Sequence, residues 1–313
     1  MEAYTLHKGA LPAAVTLEYS PAIFNHPAFA GSQGAPADAS FYLLDERRAG
    51  AHAAVHFHID GTIARSPYRA PFGSFDLRSE LSARHLFQFV EDIGTKLRDR
   101  GVTEIILRNP PREYDVAGYS LLETCLINQG YSVSDAEVSA VIPVRGEPFV
   151  GMIRNSERLR ILQSARAGLS FRILSHDRIS FVYEFIARCH EEKEYRLPVS
   201  CDDLMRTVKE FPKDYHLFGV FDDEKICAAA VSVRVTRNVL WNFLVNQDTV
   251  YNPLSPSVFL MQGIYNYCVE QGIALFDLGT SALHGRPNFS LLDFKLHLGA
   301  VPVSKLSFRK RLV

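Results

Sequence analysis

The most constraining feature of this sequence is an order of secondary-structure elements that occurs twice. In the first half, the turn Asp60-Gly61 separates the runs 51–59 and 62–67, and Asp-Gly between such runs is a strong hairpin signal. A long helix, a short apolar strand, a second helix and a closing strand follow. The second half repeats this order with little sequence identity, which predicts two similar α/β units in tandem.

The elements of the first half follow from local patterns. Residues 79–100 are predicted to be helical, with Gly101 at the C-terminal end. The apolar residues at helical spacing are Leu81, Leu86, Phe89, Val90, Ile93 and Leu97. The segment 21–38 predicts short helix and loop, and further strands are predicted at 41–44, 104–107 and 134–144, with a second helix at 119–128.

The second half begins with a basic amphipathic segment, predicted as one helix over 150–168. We place the domain boundary just before it, near Gly146–Pro148, which gives domains 1–148 and 149–313. Helices are then expected at 179–192, 202–211, 257–271 and 288–297, and strands at 169–174, 217–221, 226–235, 239–245, 274–278 and 301–308.

Composition favours an ordinary cytoplasmic globular protein. Net charge is −1, so no overall field recruits nucleic acid or an anionic membrane. The five cysteines are odd in number and form no C-x-x-C pair, which favours reduced thiols. No secretory signal or transmembrane run of about 20 residues is present, and a peripheral membrane contact stays open. The basic C-terminal residues Lys305, Arg309, Lys310 and Arg311 are interpreted as a solvated edge strand rather than a phosphate contact.

The element order resembles the GNAT acyltransferase fold, and its tandem repetition is similar to the FemAB and Fem-like acyltransferases. Three segments carry the resemblance: SPYRAPFGSFD (66–76), the link helix with Arg158 and Arg160, and FDLGTS (276–281) followed by NFSLLDFKLHLGA (288–300). The fold class implied is α/β (α+β), with two tandem GNAT-like domains, each a mixed, mainly antiparallel sheet flanked by helices.

The resemblance also implies a reaction type, which is transfer of an acyl or aminoacyl group to an amine. Ordinary GNAT proteins use CoA thioesters as donors and Fem enzymes use aminoacyl-tRNA, so acyl-CoA and aminoacyl-tRNA are the two co-substrates to consider, with no tightly bound cofactor and no metal. The acceptor would be a small-molecule or cell-envelope amine. The oligomeric state is not predicted.

One departure from the ordinary GNAT pattern concerns the donor. Those proteins cradle the CoA pyrophosphate with an Arg/Gln-x-x-Gly-x-Gly/Ala loop at a helix N-terminus. Arg47-x-x-Gly50-x-His52 and Arg98-x-x-Gly101-x-Thr103 come nearest, but neither opens a helix after a strand. The missing loop favours the Fem-like side of the resemblance.

Most candidate site residues lie in the segment 274–300. Central strands of this fold splay apart and expose backbone groups to the donor, and here those strands should be 239–245 and 274–278. Gly279, Thr280 and Ser281 would line the cleft, or simply turn the chain. Arg286 is a candidate anion clamp. Lys295 is expected either to face the cleft, as the resemblance implies, or to be solvated.

Further candidate site residues are predicted from single positions in strands and loops. Asn242 follows Trp241, the single tryptophan, on the opposite face of a central strand, and a buried core role for the tryptophan is favoured. Tyr195 would belong to an acceptor-side lid, and Tyr68 and Arg69 to the equivalent loop of the first domain. Asn288 is expected to cap the last helix rather than touch a ligand. His56 and His58 share one strand face, but no third ligand is apparent, which disfavours a metal site.

Three hypotheses therefore stand. The first is an acyl- or aminoacyltransferase acting on an amine, with catalytic residues unidentified. The second is a non-catalytic binding protein that retains the fold. The third is an envelope-modifying enzyme at the membrane surface, suggested by the basic link helix and C-terminus.

Overall fold

The computed structural model describes residues 4–32, 38–45, 49–67, 69–192, 197–283 and 286–312. The chain forms two compact units: unit 1 is Met1–Glu137 with Val303–Val313, and unit 2 is Val138–Pro302. The units divide within a strand, earlier than the boundary we predict between residues 148 and 149. That boundary, as a statement about folding domains, stays a prediction.

Unit 1 contains the predicted hairpin, helix, strand, helix and strand. Its elements are β1 (Tyr4–Lys8), β2 (Thr16–Leu17), α1 (Pro27–Ser32), β3 (Ala39–Asp45), β4 (Gly50–Asp60), β5 (Ile63–Ser66), β6 (Phe75–Leu77), α2 (Ala83–Arg98), β7 (Glu104–Arg108), α3 (Val116–Asn128) and the first part of β8 (Ser132–Pro143). The sheet order runs β1-β3-β4-β5-β7, and only β5 and β7 in this run are parallel. Asp60 pairs with Ile63 across the predicted Asp-Gly turn.

Helix α2 forms where the spacing of apolar residues predicts a helix. The Ser82 side chain accepts a hydrogen bond from the His85 N–H and caps the helix, and five of the six predicted apolar positions are buried. They are Leu86, Phe89, Val90, Ile93 and Leu97, which pack on β3, β4 and β7. Burial of this face stabilises the helix by roughly 1.5–3 kcal/mol for each large side chain.

Unit 2 combines hydrogen-bonded strands with helices. Its elements after β8 are α4 (Phe149–Met152), α5 (Asn155–Arg166), β9 (Ser170–Leu174), α6 (Ile179–Glu191), α7 (Cys201–Glu210), β10 (Tyr215–Asp222), β11 (Lys225–Thr236), β12 (Val239–Gln247), α8 (Pro256–Glu270), β13 (Leu275–Thr280), β14 (Ala282–Leu283), β15 (Arg286–Pro287) and α9 (Phe289–His297). The order is β8-β13-β12-β11-β10-β9, and β12 with β13 is its parallel pair. Helix α8 covers this sheet with Val258, Leu260, Met261 and Ile264.

The prediction of one link helix is wrong. The chain leaves helical geometry at Ile153 and Arg154, and α4 and α5 lie on either side of the break. The Arg154 N–H donates to the His297 carbonyl instead of to a helical partner. Arg158 donates to the Gly151 carbonyl, and Arg160 pairs with buried Glu157, so both arginines serve contacts within unit 2.

The prediction of a C-terminal edge strand is also wrong. Strand β16 (Val301–Arg311) lies between β7 and β8, and its residues from Val303 onward belong to unit 1. Lys305 is buried, and its Nζ lies 2.8 Å from Glu137 Oε2. No helix among the described residues is long and apolar enough to cross a membrane.

Candidate functional site in unit 2

The parallel strands β12 and β13 separate part of the way along their length. They pair at three positions only: Val239 with Leu275, Leu240 with Phe276, and Trp241 with Asp277. Strand β12 continues to Gln247 beyond the last pair, still bonded on its other side to β11. From Asn242 onward the edge of β12 is therefore not paired with β13.

The turn at the end of β13 is fixed by Asp277. This buried carboxylate accepts hydrogen bonds on Oδ1 from the Gly279 N–H at 2.7 Å and from the Ser139 hydroxyl at 3.1 Å. Gly279 has a φ of +78°, which only glycine adopts without strain. A Cβ at this position would lie 3.4 Å from Trp241 Nε1. The Asp-x-Gly sequence thus holds the chain in a sharp turn beside the point where the strands part.

Lys295 secures the same turn from helix α9. Its Nζ donates to the carbonyl oxygens of Gly279 and Thr280, both at 2.8 Å. The side chain is buried, and that burial lowers the Lys295 pKa from 10.5 to about 8, an effect that the nearby Asp277 carboxylate partly offsets. An ammonium group has three donors, so the two carbonyls leave one N–H. The alternative of a solvated lysine is wrong.

A cavity of about 320 Å³ occupies the space beyond the last strand pair. Helices α8 and α9 and strand β12 supply most of its walls. The residues that line it are Asn242, Val245, Asn246, Gln247, Ser257, Met261, Leu278, Leu291, Phe294, Lys295 and Leu298. An apolar cleft with a few polar groups, one of them a buried amine, is the usual form of a small-molecule site.

The start of helix α8 adjoins this cavity and has no free backbone donor. A helix start leaves four N–H positions without intrahelical partners. Here Ser255 donates to the Tyr251 and Asn252 carbonyls, Pro256 has no N–H, Ser257 donates to Gln247 Oε1 at 2.9 Å, and Val258 donates to the Ser255 carbonyl. Backbone cradling of a pyrophosphate at this helix would require these contacts to break.

The structure places the other predicted residues as follows. Asn242 is buried, accepts a hydrogen bond from the Ser232 hydroxyl at 3.2 Å and lines the cavity. The Ser281 hydroxyl is buried and has no hydrogen-bond partner within the described residues, while Thr280 is half-buried beside it. Arg286 is exposed on β15. Arg69 is exposed in unit 1, and Tyr68 and Tyr195 lie outside the described residues.

Three further predictions concern residues that do not line this cavity. The Asn288 side chain accepts a hydrogen bond from the Leu291 N–H at 3.1 Å, so it caps α9 as expected. The expected core position of Trp241 is wrong: its side chain is half-buried, and its ring centroid lies 4.9 Å from that of Phe243. His56 and His58 face Ser40 and Asp38, and no group of three or more potential metal ligands occurs in the described part of the chain.

Sequence reasoning missed Ser139, Gln247, Ser257 and Met261. Ser139 and Met261 reach the site through tertiary packing, and no local pattern indicates this. The sequence Ser255-Pro256-Ser257 does mark a helix start, since proline is favoured at the first helical position. That signal could have pointed to Ser257 as a wall of the cleft.

Comparison with known proteins agrees with this geometry. Residues 153–294 match the family model described as the acetyltransferase (GNAT) domain. FemX is similar in structure, with 9% identity over 87% of each chain and a TM-score of 0.69. L-PGS from Bacillus licheniformis has 14% identity over 92% of this chain and 88% of its own, with a TM-score of 0.58. A tandem GNAT protein from the clavulanic acid biosynthesis pathway has 10% identity over 88% of this chain and 83% of its own, with a TM-score of 0.51.

No curated protein sequence matches the chain. The structural matches show that the chain has a GNAT-like fold similar to that of FemX, and the match to the GNAT family model is confined to residues 153–294. The predicted fold class, a mixed and mainly antiparallel sheet flanked by helices, is confirmed. The match of residues 153–294 to the acetyltransferase model supports acyl transfer in general.

Proposed function

We propose that this protein transfers an acyl or aminoacyl group to an amine acceptor, and that the donor's acyl group binds in the cavity between β12, β13, α8 and α9. The observation that carries the proposal is the separation of β12 from β13 after Trp241, with a cavity of about 320 Å³ at that point. An open cavity favours a transferase over a non-catalytic protein whose cleft is filled by its own side chains.

The reaction needs positioning more than covalent help from the protein. The acceptor nitrogen attacks the donor carbonyl carbon, an oxyanion forms on the carbonyl oxygen, and the C–S or C–O bond to the donor carrier then breaks. Lys295 has one N–H not used by Gly279 and Thr280, and it lines the cavity. A hydrogen-bond donor that is already in position before the reaction starts lowers the activation barrier by stabilising the oxyanion.

The acceptor nitrogen must also lose a proton. We assign no side chain as the base. Lys295 in its charged form cannot serve, and the deprotonated form becomes substantial only near its pKa of about 8. The protonated lysine is therefore the form we expect to act, and its role is electrostatic.

The donor we favour is an aminoacyl ester such as aminoacyl-tRNA rather than an acyl-CoA. The start of α8 has its four backbone positions engaged or lacking an N–H, so it offers no cradle for the CoA pyrophosphate. An aminoacyl-tRNA contains phosphodiesters and no pyrophosphate, so it does not need such a cradle. The resemblance to Fem-like proteins agrees with this choice.

The proposal is tested by mass-spectrometric detection of acylated amines. The protein is incubated with a mixture of amines and either a panel of acyl-CoAs or a pool of aminoacyl-tRNAs. We expect an N-aminoacyl product from the second donor class. A product from acyl-CoA alone would overturn the choice of donor and keep the transferase. No product from either class would overturn the transferase itself.

A further inference from the structure

A second cavity, of about 550 Å³, lies entirely within unit 1 and outside the GNAT domain match. Its walls come from the end of β1, the segment 17–27, β3, β4 and β6. The unit-2 cleft shares no residue with it. The lining of this cavity combines a buried carboxyl group with several aromatic rings.

Asp76 supplies the carboxyl group. It is 6% exposed, and its Oδ1 accepts a hydrogen bond from the Ala22 N–H at 3.2 Å, with the Asn25 side chain as a second partner. Within the described residues no lysine, arginine or histidine forms an ion pair with it. Burial raises the Asp76 pKa to about 7, because a buried carboxylate without a cation is costly.

The aromatic rings that line the cavity with Asp76 are those of Tyr19, Tyr42 and His56, and all three are uncharged at neutral pH. Tyr19 and Tyr42 have phenol pKa values raised by burial. The His56 ring lies edge-on to Tyr42 with centroids 5.5 Å apart, and its Nδ1 is 2.9 Å from the Ser40 hydroxyl. Burial lowers the His56 pKa to about 4, so this ring carries no positive charge that would repel a cation.

Few other titratable groups lie near Asp76 among the described residues. Tyr119 approaches it from α3, and its phenol pKa is also raised by burial. The exposed lining residues Lys8 and Asp38 carry charges of opposite sign, and the exposed His26 also lines the cavity. The interior of the cavity therefore has one carboxyl group and neutral aromatic rings.

From this juxtaposition we infer that the unit-1 cavity is a binding site for a small organic ammonium compound, whose cation pairs with Asp76 and whose carbon skeleton packs against Tyr19, Tyr42 and His56. A buried carboxylate and a desolvated ammonium form a strong charge-assisted hydrogen bond. The faces of the aromatic rings add cation–π attraction to the ammonium group. A carboxylate ligand of the same shape would meet the like charge of Asp76 and bind poorly.

The inference carries a pH signature. The ammonium ligand binds the ionised form of Asp76, so it expels the proton that Asp76 holds below pH 7. Affinity should therefore rise about tenfold for each pH unit well below 7 and level off above it.

The test is isothermal titration of the full chain with benzylamine, benzyl alcohol and benzoate, which share a ring and differ in charge. We expect benzylamine to bind at least tenfold more tightly than the other two, with affinity rising between pH 6 and 8. Asp76→Asn should weaken benzylamine at least tenfold. Asp60→Asn, at the exposed end of β4, is the matched control and should leave it unchanged.

Two results would overturn the inference. One is equal affinity for benzylamine and benzyl alcohol, and the other is full benzylamine affinity in Asp76→Asn. If circular dichroism shows that Asp76→Asn does not fold, Ala10→Trp replaces it, since Ala10 is an exposed lining residue and a large ring there fills the cavity mouth without touching the carboxyl group. Unchanged binding in that variant would equally overturn the site. No acyl donor is present, so the outcome is independent of the transferase proposal.

Discussion

Asp277→Ala is expected to lower the free energy of unfolding by about 2–4 kcal/mol. The substitution removes the acceptor of the Gly279 N–H and of the Ser139 hydroxyl, and it leaves those buried donors without a partner. It also removes the negative charge that partly offsets the burial of the Lys295 ammonium. Urea unfolding at pH 7 measures the loss.

Asp277→Asn is the matched control for this prediction. Its amide oxygen can still accept from Gly279 and Ser139, but its charge is gone. We expect an intermediate loss of stability, with the difference between the two variants reporting the hydrogen bonds alone. Losses below about 0.5 kcal/mol in both variants, within the range of ordinary surface substitutions, would show that Asp277 does not hold the turn.

The free energy of unfolding of the wild type should increase with pH because Lys295 is buried, and Lys295→Met is expected to abolish this increase. In the wild type the Lys295 pKa is about 8 in the folded protein against 10.5 as its ordinary value. Between these values the unfolded state holds a proton that the folded state has released, so the free energy of unfolding increases with pH. The full increase in the free energy of unfolding amounts to about 3 kcal/mol. Below pH 8 the folded protein keeps the Lys295 ammonium charged, so the free-energy cost of burying that charge is fully present.

The measurement is the difference in unfolding free energy between wild type and variant from pH 7.5 to 10.5. Subtraction removes the contributions of tyrosines and cysteines common to both proteins. Lys295→Arg is the control, because a guanidinium stays charged over the whole pH range. This variant keeps a cation at the position, and its free energy of unfolding should also lack the increase with pH. Parallel curves for wild type and Lys295→Met would contradict the assigned burial of the ammonium.

Local sequence patterns predicted the elements whose stability is decided locally. The apolar positions of α2 and the Asp60-Gly61 turn specify one helix and one hairpin, and both occur. The break at Ile153 and Arg154 was not predictable in this way, because a carbonyl from α9 supplies the competing partner. Strand β6 was missed since its three residues are too few to show a period.

The candidate site was predicted in outline and not in its contacts. The Asp-x-Gly sequence and the Phe-Lys of α9 marked the segment, and the resemblance supplied the splayed strands. The sequence left open whether Lys295 is solvated, because its two carbonyl partners lie 15 and 16 residues away and depend on how α9 packs. Likewise, the sequence does not reveal that the Ser257 N–H at the start of α8 donates to Gln247 Oε1, because this contact depends on the folded positions of both residues.

The most direct test of the central claim is the rate of amine acylation by the wild type and by Ser257→Trp. Ser257 is the second residue of α8 and lines the cavity, so a tryptophan there fills the space assigned to the acyl group. Ser156→Trp, at the second position of α5 and exposed, is the matched control. We predict acylation by the wild type and by the control, and a rate lower by roughly 10²-fold in Ser257→Trp, because displacement of a reactant by about 1 Å can cost this much. Equal rates in all three proteins, or no acylation by the wild type with either donor class, would contradict it.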